Sequence, residues 1–190
     1  AFPTIVLTVD ANAAYRLEDA EHLASLDRFG LDYVEQPLDH EDLVGHAELQ
    51  KRMATPICLD ESIRSAADAS AAIALGACRV INVKLGRIGG FSEVLALHDR
   101  AVAAGIPLWC GGMLEAGVGR AHNVAVASLP GFTKPGDTSS SSRYFEEDIV
   151  EPPLEATDGL MPVPKGPGIG VSIRRDVLDR FTTFREEVPS

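Results

Sequence analysis

The chain has 190 residues, 45% hydrophobic and 24% charged, an ordinary globular composition with length enough for one sizeable core. A formal net charge of −11 argues against nucleic acid as a partner, because phosphate binding needs a Lys/Arg surface. It leaves room for a small anionic substrate, since a bound cation inverts the potential inside one cleft. No apolar run approaches the ~20 residues of a membrane span and no signal-peptide pattern opens the sequence, so no membrane partner is expected.

In chain order, apolar and β-branched runs at roughly 3–9, 31–34, 57–59, 79–83 and 106–110 predict strands. A sixth, weaker strand is expected near 131–135. The runs lack the alternation of a one-sided sheet, which predicts burial on both faces, as in parallel sheets. Helical patterns fill the gaps. Leu17, Ala20, Leu23 and Leu26 recur at helical spacing within 15–29. Ser65 and Asp68 form a capping-box-like start to a helix that stops at Gly76. Further helices are expected over about 90–104, ending at Gly105 with Pro107 beyond, and over about 117–128, before Pro130-Gly131. Ser139 to Ser142 read as a polar loop by the mouth of a site.

From about 146 to 173, dense Pro and Gly predict an ordered loop or extended arm, and its Leu, Met, Val and Ile imply packing against something. A last helix is expected over about 174–187. Cys58, Cys78 and Cys110 lack C-x-x-C spacing and read as reduced, buried cysteines of a cytoplasmic protein.

Alternating βα units of this length predict an α/β fold with a parallel sheet. An incomplete (β/α)8 TIM-type barrel of about six units is favoured over an open doubly wound sheet, with the first strands missing ahead of Ala1. The reason is a period. Asp10, Glu35, Asp60 and Lys84 are spaced by 25, 25 and 24 residues and close the runs TIVLTVD, LDYVEQ, PICLDE and RVINVK. Barrel enzymes draw their working side chains from the C-terminal ends of several strands. Three converging carboxylates would repel unless a cation sat among them, and oxygen-only ligands suit Mg²⁺ or Mn²⁺. Lys84 beside a dication is expected to have a pKa lowered towards neutrality, which suits a general acid/base. One such residue alone would read as a surface ion pair; four at a fixed period favour a site.

D-A-N at Asp10–Asn12, E-Q-P at Glu35–Pro37, D-E-S at Asp60–Ser62 and K-x-x-R-x-G-G from Lys84 to Gly90 resemble the enolase superfamily, in its muconate-lactonising-enzyme subgroup. WCGGMLEAGVGRAHN at 109–123 and PGDTSSSSRYF at 135–145 are most similar to the N-acylamino acid racemase / o-succinylbenzoate synthase branch. The resemblance implies that Asp10, Glu35 and Asp60 hold Mg²⁺ at the tips of barrel strands three, four and five. It implies that Lys84 ends strand six and faces a small carboxylate substrate, whose α proton is removed to give an enediolate. Asn12 and Glu61 would orient the metal ligands, and Gly112, Met113 and Leu114 would contact the acyl part of the substrate. Glu115 and Asp137 receive no role. His22, His46 and His98 are placed on helical surfaces, His40 on a loop and His122 at a helix start, all structural or solvated.

One departure stands out. The family carries a K-x-K motif one unit before the first metal ligand, yet none of the nine residues before Asp10 is lysine. An N-terminal capping domain is also expected to lie elsewhere. The resemblance therefore assigns racemisation, or the dehydration step of menaquinone biosynthesis, to a parent protein, and the segment alone is expected to be inactive. Its expected organisation is a partial barrel over 1–145 and, over 146–190, an arm and helix packing on the barrel or the capping domain. Unpaired strand edges would recruit the N-terminal portion or a second copy, giving a homo-oligomer. Cycloisomerase or dipeptide epimerase activity, or a non-catalytic fragment, are the alternatives.

Overall fold

The structure, a computed structural model, describes residue 2 and residues 4–187. Five short strands carry the design: β1 (Val9–Asp10), β2 (Val34–Glu35), β3 (Ile57–Leu59), β4 (Val80–Val83) and β5 (Leu108–Cys110). All pair in parallel and in chain order. Every crossover thus steps the same way along the sheet, whereas a doubly wound sheet reverses direction at a switch point. Register places Asp10 opposite Glu35, Glu35 opposite Cys58, and Cys58 opposite Val80. Strands β2 to β5 are buried throughout, which explains their unbroken apolar character.

Two strand expectations need correction. The strand predicted over 3–9 is confined to Val9–Asp10, and residue 3 lies outside the described residues. Ile5, Val6, Leu7 and Val9 are exposed rather than buried on two faces, because among the described residues β1 pairs only with β2. The strand near 131–135 reduces to a single parallel bridge between Leu108 and Phe132.

The helices follow their local signals closely. Ser65 caps α3 (Ala66–Leu75): its Oγ accepts from the Asp68 amide at 3.1 Å and donates to Asp68 Oδ2 at 2.9 Å. Gly76 closes that helix at φ +69°, a left-handed conformation that glycine adopts without Cβ strain. Helix α5 (Phe91–Ala104) ends the same way at Gly105. The stretch predicted as one helix over 15–29 is mixed: 3₁₀ turns at Leu17–Asp19 and Ser25–Phe29 flank a short α1 (Ala20–Ala24). Helix α2 (Leu43–Arg52) connects β2 to β3, and α4 (Leu85–Ile88) starts directly after Lys84. All three cysteines are buried.

His46 and His98 are not on the surface. His46 is fully buried on α2, where its Nε2 accepts from the Leu38 amide at 3.2 Å and its Nδ1 lies 2.7 Å from the Asp42 carbonyl. His98 is buried on α5, with Nε2 accepting from the Gly131 amide at 3.2 Å. Both imidazoles satisfy loop backbone groups that burial would otherwise leave unpaired.

Contacts divide the chain into two compact units: Ala1–Gly111 with Leu129–Gly136, and Gly112–Ser128 with Asp137–Ser190. This partition differs from one at residue 145, because α6 (Gly117–Ala127) belongs with the C-terminal arm. The Gly117 amide donates to Asp148 Oδ1 at 2.8 Å, and the buried Arg120 donates to the carbonyls of Glu115 and Ser139. The Ser139–Ser142 run enters a 3₁₀ turn, Ser141–Arg143. Strands β6 (Val150–Glu151) and β7 (Ser172–Ile173) pair antiparallel; of the arm's apolar residues Val150 and Leu154 are buried, whereas Leu160, Val163 and Ile173 are exposed rather than packed as expected. The final helix α7 spans Arg175–Phe181, shorter than the expected 174–187.

Burial holds the His46 pKa below its ordinary 6.5, although the Asp42 carbonyl and the Asp42 and Asp39 charges work the other way. The unfolded chain therefore takes up this proton first as pH falls. The stability that depends on neutral His46 is whole above about pH 6.5 and is lost as pH drops through the lowered folded value. Urea unfolding at pH 7.5 and 5.5 should show a smaller loss in His46→Gln than in the wild type; an equal loss would contradict this role.

Candidate functional site

The first unit builds its site in layers on one face of the strands. Tyr33, Cys58, Val80 and Trp109 form a buried cluster, tied by a Trp109 Nε1 to Cys58 Sγ contact of 3.3 Å. Two residues further along each strand the same face presents Glu35, Asp60, Asn82 and Gly111. A packed apolar floor thus carries a polar layer, and Lys84 follows two residues beyond Asn82, directly after the end of β4. Asp10 lies beside Glu35 in register on the exposed edge strand.

Glu35, Asp60 and Asp10 each have a defined hydrogen-bond partner. Glu35 is 6% exposed, and its Oε1 accepts from Asn82 Nδ2 at 2.7 Å. Asp60 is 2% exposed, and its Oδ2 accepts from Lys84 Nζ at 2.7 Å. The Arg87 guanidinium lies 2.6 Å from Asp60 Oδ1, an ionic contact that misses hydrogen-bond alignment, so Oδ1 accepts no hydrogen bond. Asp10 Oδ1 accepts from the Asn12 amide at 2.8 Å, and Asn12 holds a left-handed φ of +45°. Buried Glu61 Oε2 has no hydrogen-bond partner.

Electrostatics follow from this crowding. Burial pushes the Glu35 carboxyl up to about 7; Asn82 opposes that rise, while the Asp10 and Asp60 charges add to it. Burial works to lower the Lys84 pKa, but the bond to Asp60, with the Asp60 and Glu35 charges, outweighs it, so Lys84 is raised. The expected fall towards neutrality concerns Lys84 beside a dication, a different surrounding from this one. With Asp60 as direct partner, the ammonium form is the favoured one.

Among the described residues, no group of three or more His, Cys, Asp or Glu side chains is gathered closely enough to hold a metal ion. Asp10, Glu35 and Asp60 occupy successive strand ends, but Lys84 and Arg87 supply the countercharge at Asp60. As a donor set the three carboxylates still suit a hard cation. They offer oxygen only, their mutual repulsion is what a dication relieves, and buried Asp60 Oδ1 has lone pairs without a hydrogen bond.

In the second unit, Gly112 donates its amide to Asp137 Oδ1, and a Cβ at Gly112 would meet the Asp137 carbonyl oxygen at 2.8 Å. Met113 and Leu114 are exposed, at 56% and 75%. Glu115 shapes their loop: Oε2 accepts from the Met113 amide at 2.8 Å, and Oε1 from Asn123 Nδ2 at 2.8 Å.

Sequence reasoning assigned nothing to Asn82, Arg87 or Gln36. Asn82 carried a signal, a polar residue inside an otherwise apolar strand. Arg87 and Gln36 sit within the K-x-x-R-x-G-G and E-Q-P motifs, but their contacts depend on packing that a motif does not show.

The sequence profile described as enolase C-terminal domain-like matches residues 1–177, and the chain belongs to that family. It is 60% identical over 185 residues to the N-succinylamino acid racemase of Thermus thermophilus, covering 97% of this chain and 50% of that protein. It is 55% identical over 184 residues to the o-succinylbenzoate synthase of Geobacillus kaustophilus, covering 97% and 49%. A crystal structure of an enolase superfamily member from Listeria innocua superposes with a TM-score of 0.92 at 48% identity, over 97% of this chain and 50% of that one. The chain thus spans about half the length of the curated relatives it matches.

Gly111 is needed for close approach: a Cβ there would lie 2.5 Å from Asn82 Oδ1 and 2.7 Å from Lys84 Cε. Asn82 cannot yield, since its Oδ1 accepts from the Gly111 amide at 2.9 Å while its Nδ2 holds Glu35. Gly111→Ala should cost about 1–3 kcal/mol in urea unfolding. Wild-type stability would show that the polar layer is looser than described.

Proposed function

We propose that this chain is the incomplete (β/α)8 barrel portion of an enzyme that removes the proton α to a carboxylate. Its reaction would be racemisation of N-succinylamino or related N-acylamino acids, dehydration to o-succinylbenzoate in menaquinone biosynthesis, or both. One observation carries this reading: Asp10 and Glu35 in register, with Asp60 and Lys84 directly after the next two strands of the same sheet and bonded to each other. The high identity to a racemase and a synthase supports both outcomes from one site.

Asp10, Glu35 and Asp60 would hold Mg²⁺ or Mn²⁺. When bound, the cation would bind the substrate carboxylate and offset the charge that grows on it as the α proton leaves. The chain's own residues have separate tasks. Asn82 holds the Glu35 carboxylate in place, and the Tyr33–Trp109 floor excludes water beneath it. Lys84 keeps a proton at Nζ while bonded to Asp60. Released from that bond and having given its extra proton to solvent, Nζ as the neutral amine takes the α proton from one face of the substrate, and as the ammonium so formed it returns a proton to that face. Gly112, Met113 and Leu114 are proposed contacts for the acyl group; the exposed apolar side chains of Met113 and Leu114 support that reading.

A further segment is proposed to cover β1, either the N-terminal portion of the same protein or a second copy. Phe2, Ile5, Val6 and Leu7 beside that edge are exposed and apolar. Among the described residues no helix is long and apolar enough to cross a membrane.

In the full-length protein, Asp60→Asn should abolish turnover that depends on Mg²⁺, and unchanged turnover would defeat the assignment. Lys84→Ala should slow α-hydrogen exchange in D₂O from one face by about 10²–10⁴-fold, followed by NMR. Exchange at the normal rate from both faces would refute the role given to Lys84.

A further inference from the structure

Gln36, the middle residue of E-Q-P, has no part in the chemistry above, yet it is fully buried and has more bonding partners than any single role in the core requires. Its backbone and side chain reach all three strand ends that carry a carboxylate. The backbone amide donates to the Cys58 carbonyl at 2.8 Å, extending the ladder to β3. The backbone carbonyl accepts from the Ala13 amide at 2.8 Å, securing the turn that follows Asp10. On the side chain, Oε1 accepts from the Asp60 amide at 3.0 Å and from the Ser62 amide at 3.2 Å. Nε2 donates to Ser62 Oγ at 2.8 Å and to the Leu38 carbonyl at 3.1 Å, with His46 Nε2 at 3.5 Å.

The backbone at Gln36 is strained. Its φ is +34°, a left-handed value that a long side chain seldom adopts. Such a conformation persists only where the surroundings over-determine it. Here the side-chain amide does so, and the sharp turn it stabilises directly follows Glu35. A neutral amide suits the task. It accepts from two backbone N–H groups and donates to two oxygens without adding a charge beside three carboxylates.

We infer that Gln36 is a positioning residue that sets Asp10, Glu35 and Asp60 relative to one another by tying their three strand ends together. The inference rests on the proposed metal role of those carboxylates, and it assigns Ser62 as the partner that holds the Gln36 amide in orientation. Gln36→Met keeps length and bulk but removes every side-chain hydrogen bond. Ser62→Ala removes one acceptor and leaves the bonds to Gln36 Oε1.

The test is Mn²⁺ affinity of the full-length protein without substrate, measured by EPR of free Mn²⁺, beside urea unfolding of the same samples. Gln36→Met should weaken Mn²⁺ binding by about tenfold or more, the scale of lost ligand-orienting partners, and Ser62→Ala by about threefold. Gln36→Met that loses stability but binds Mn²⁺ as tightly as wild type would overturn the inference, since a purely structural role predicts that result. If Gln36→Met does not fold, Ser62→Ala decides, and wild-type affinity there overturns it. Absence of saturable Mn²⁺ binding in the wild type, with binding equally absent in Asp60→Asn, would instead remove the metal reading on which the inference stands.

Discussion

Like-charge crowding under burial is the constraint that orders the rest of the first unit. The parallel sheet sets Asp10 beside Glu35 and brings Asp60 to the next strand end, and it buries the last two. Burying charge without a partner is expensive. The chain offsets that cost in three ways: Asn82 bonds Glu35, Lys84 and Arg87 face Asp60, and Glu35 itself is pushed towards the neutral form. Such an arrangement contributes little to stability. An apolar layer would pack there as well, so the carboxylates are better explained by what they can hold than by what they hold together.

That constraint also sets the protonation of Lys84. A lysine beside a dication is pushed to lose its proton, whereas a lysine bonded to an aspartate is pushed to keep it. The same side chain can serve both situations. What changes is whether Asp60 is its partner, and Asp60 is the residue on which Lys84, Arg87 and the Gln36 amide all converge.

Much of this was legible in the sequence, because it is written locally. A βα unit of about 25 residues repeats, so residues closing successive strands recur at that spacing. Ser65, Gly76 and Gly105 mark helix ends through chemistry confined to a few neighbouring residues. The parts that stayed hidden depend on register between distant strands. Asn82 reaches Glu35 across 47 residues, and Trp109 reaches Cys58 across 51. His46 and His98 read as surface residues because helical periodicity cannot show that a loop amide needs an acceptor. The exposed run before Asp10 misled in the opposite direction: apolar content predicts burial, but burial at an edge strand needs a neighbour. Composition also suggested a boundary near residue 145, whereas α6 joins the C-terminal arm through Gly117 and Asp148, far apart in sequence.

Family membership and site geometry meet in one claim, that these strand-end carboxylates share a hard cation. Anomalous diffraction at the manganese edge, from crystals of the full-length protein soaked in Mn²⁺, tests it most directly. The account predicts a single strong peak within coordination distance of oxygens from Asp10, Glu35 and Asp60, with Lys84 Nζ displaced from Asp60. A fully soaked crystal with no peak there, and with Lys84 still bonded to Asp60, would contradict it.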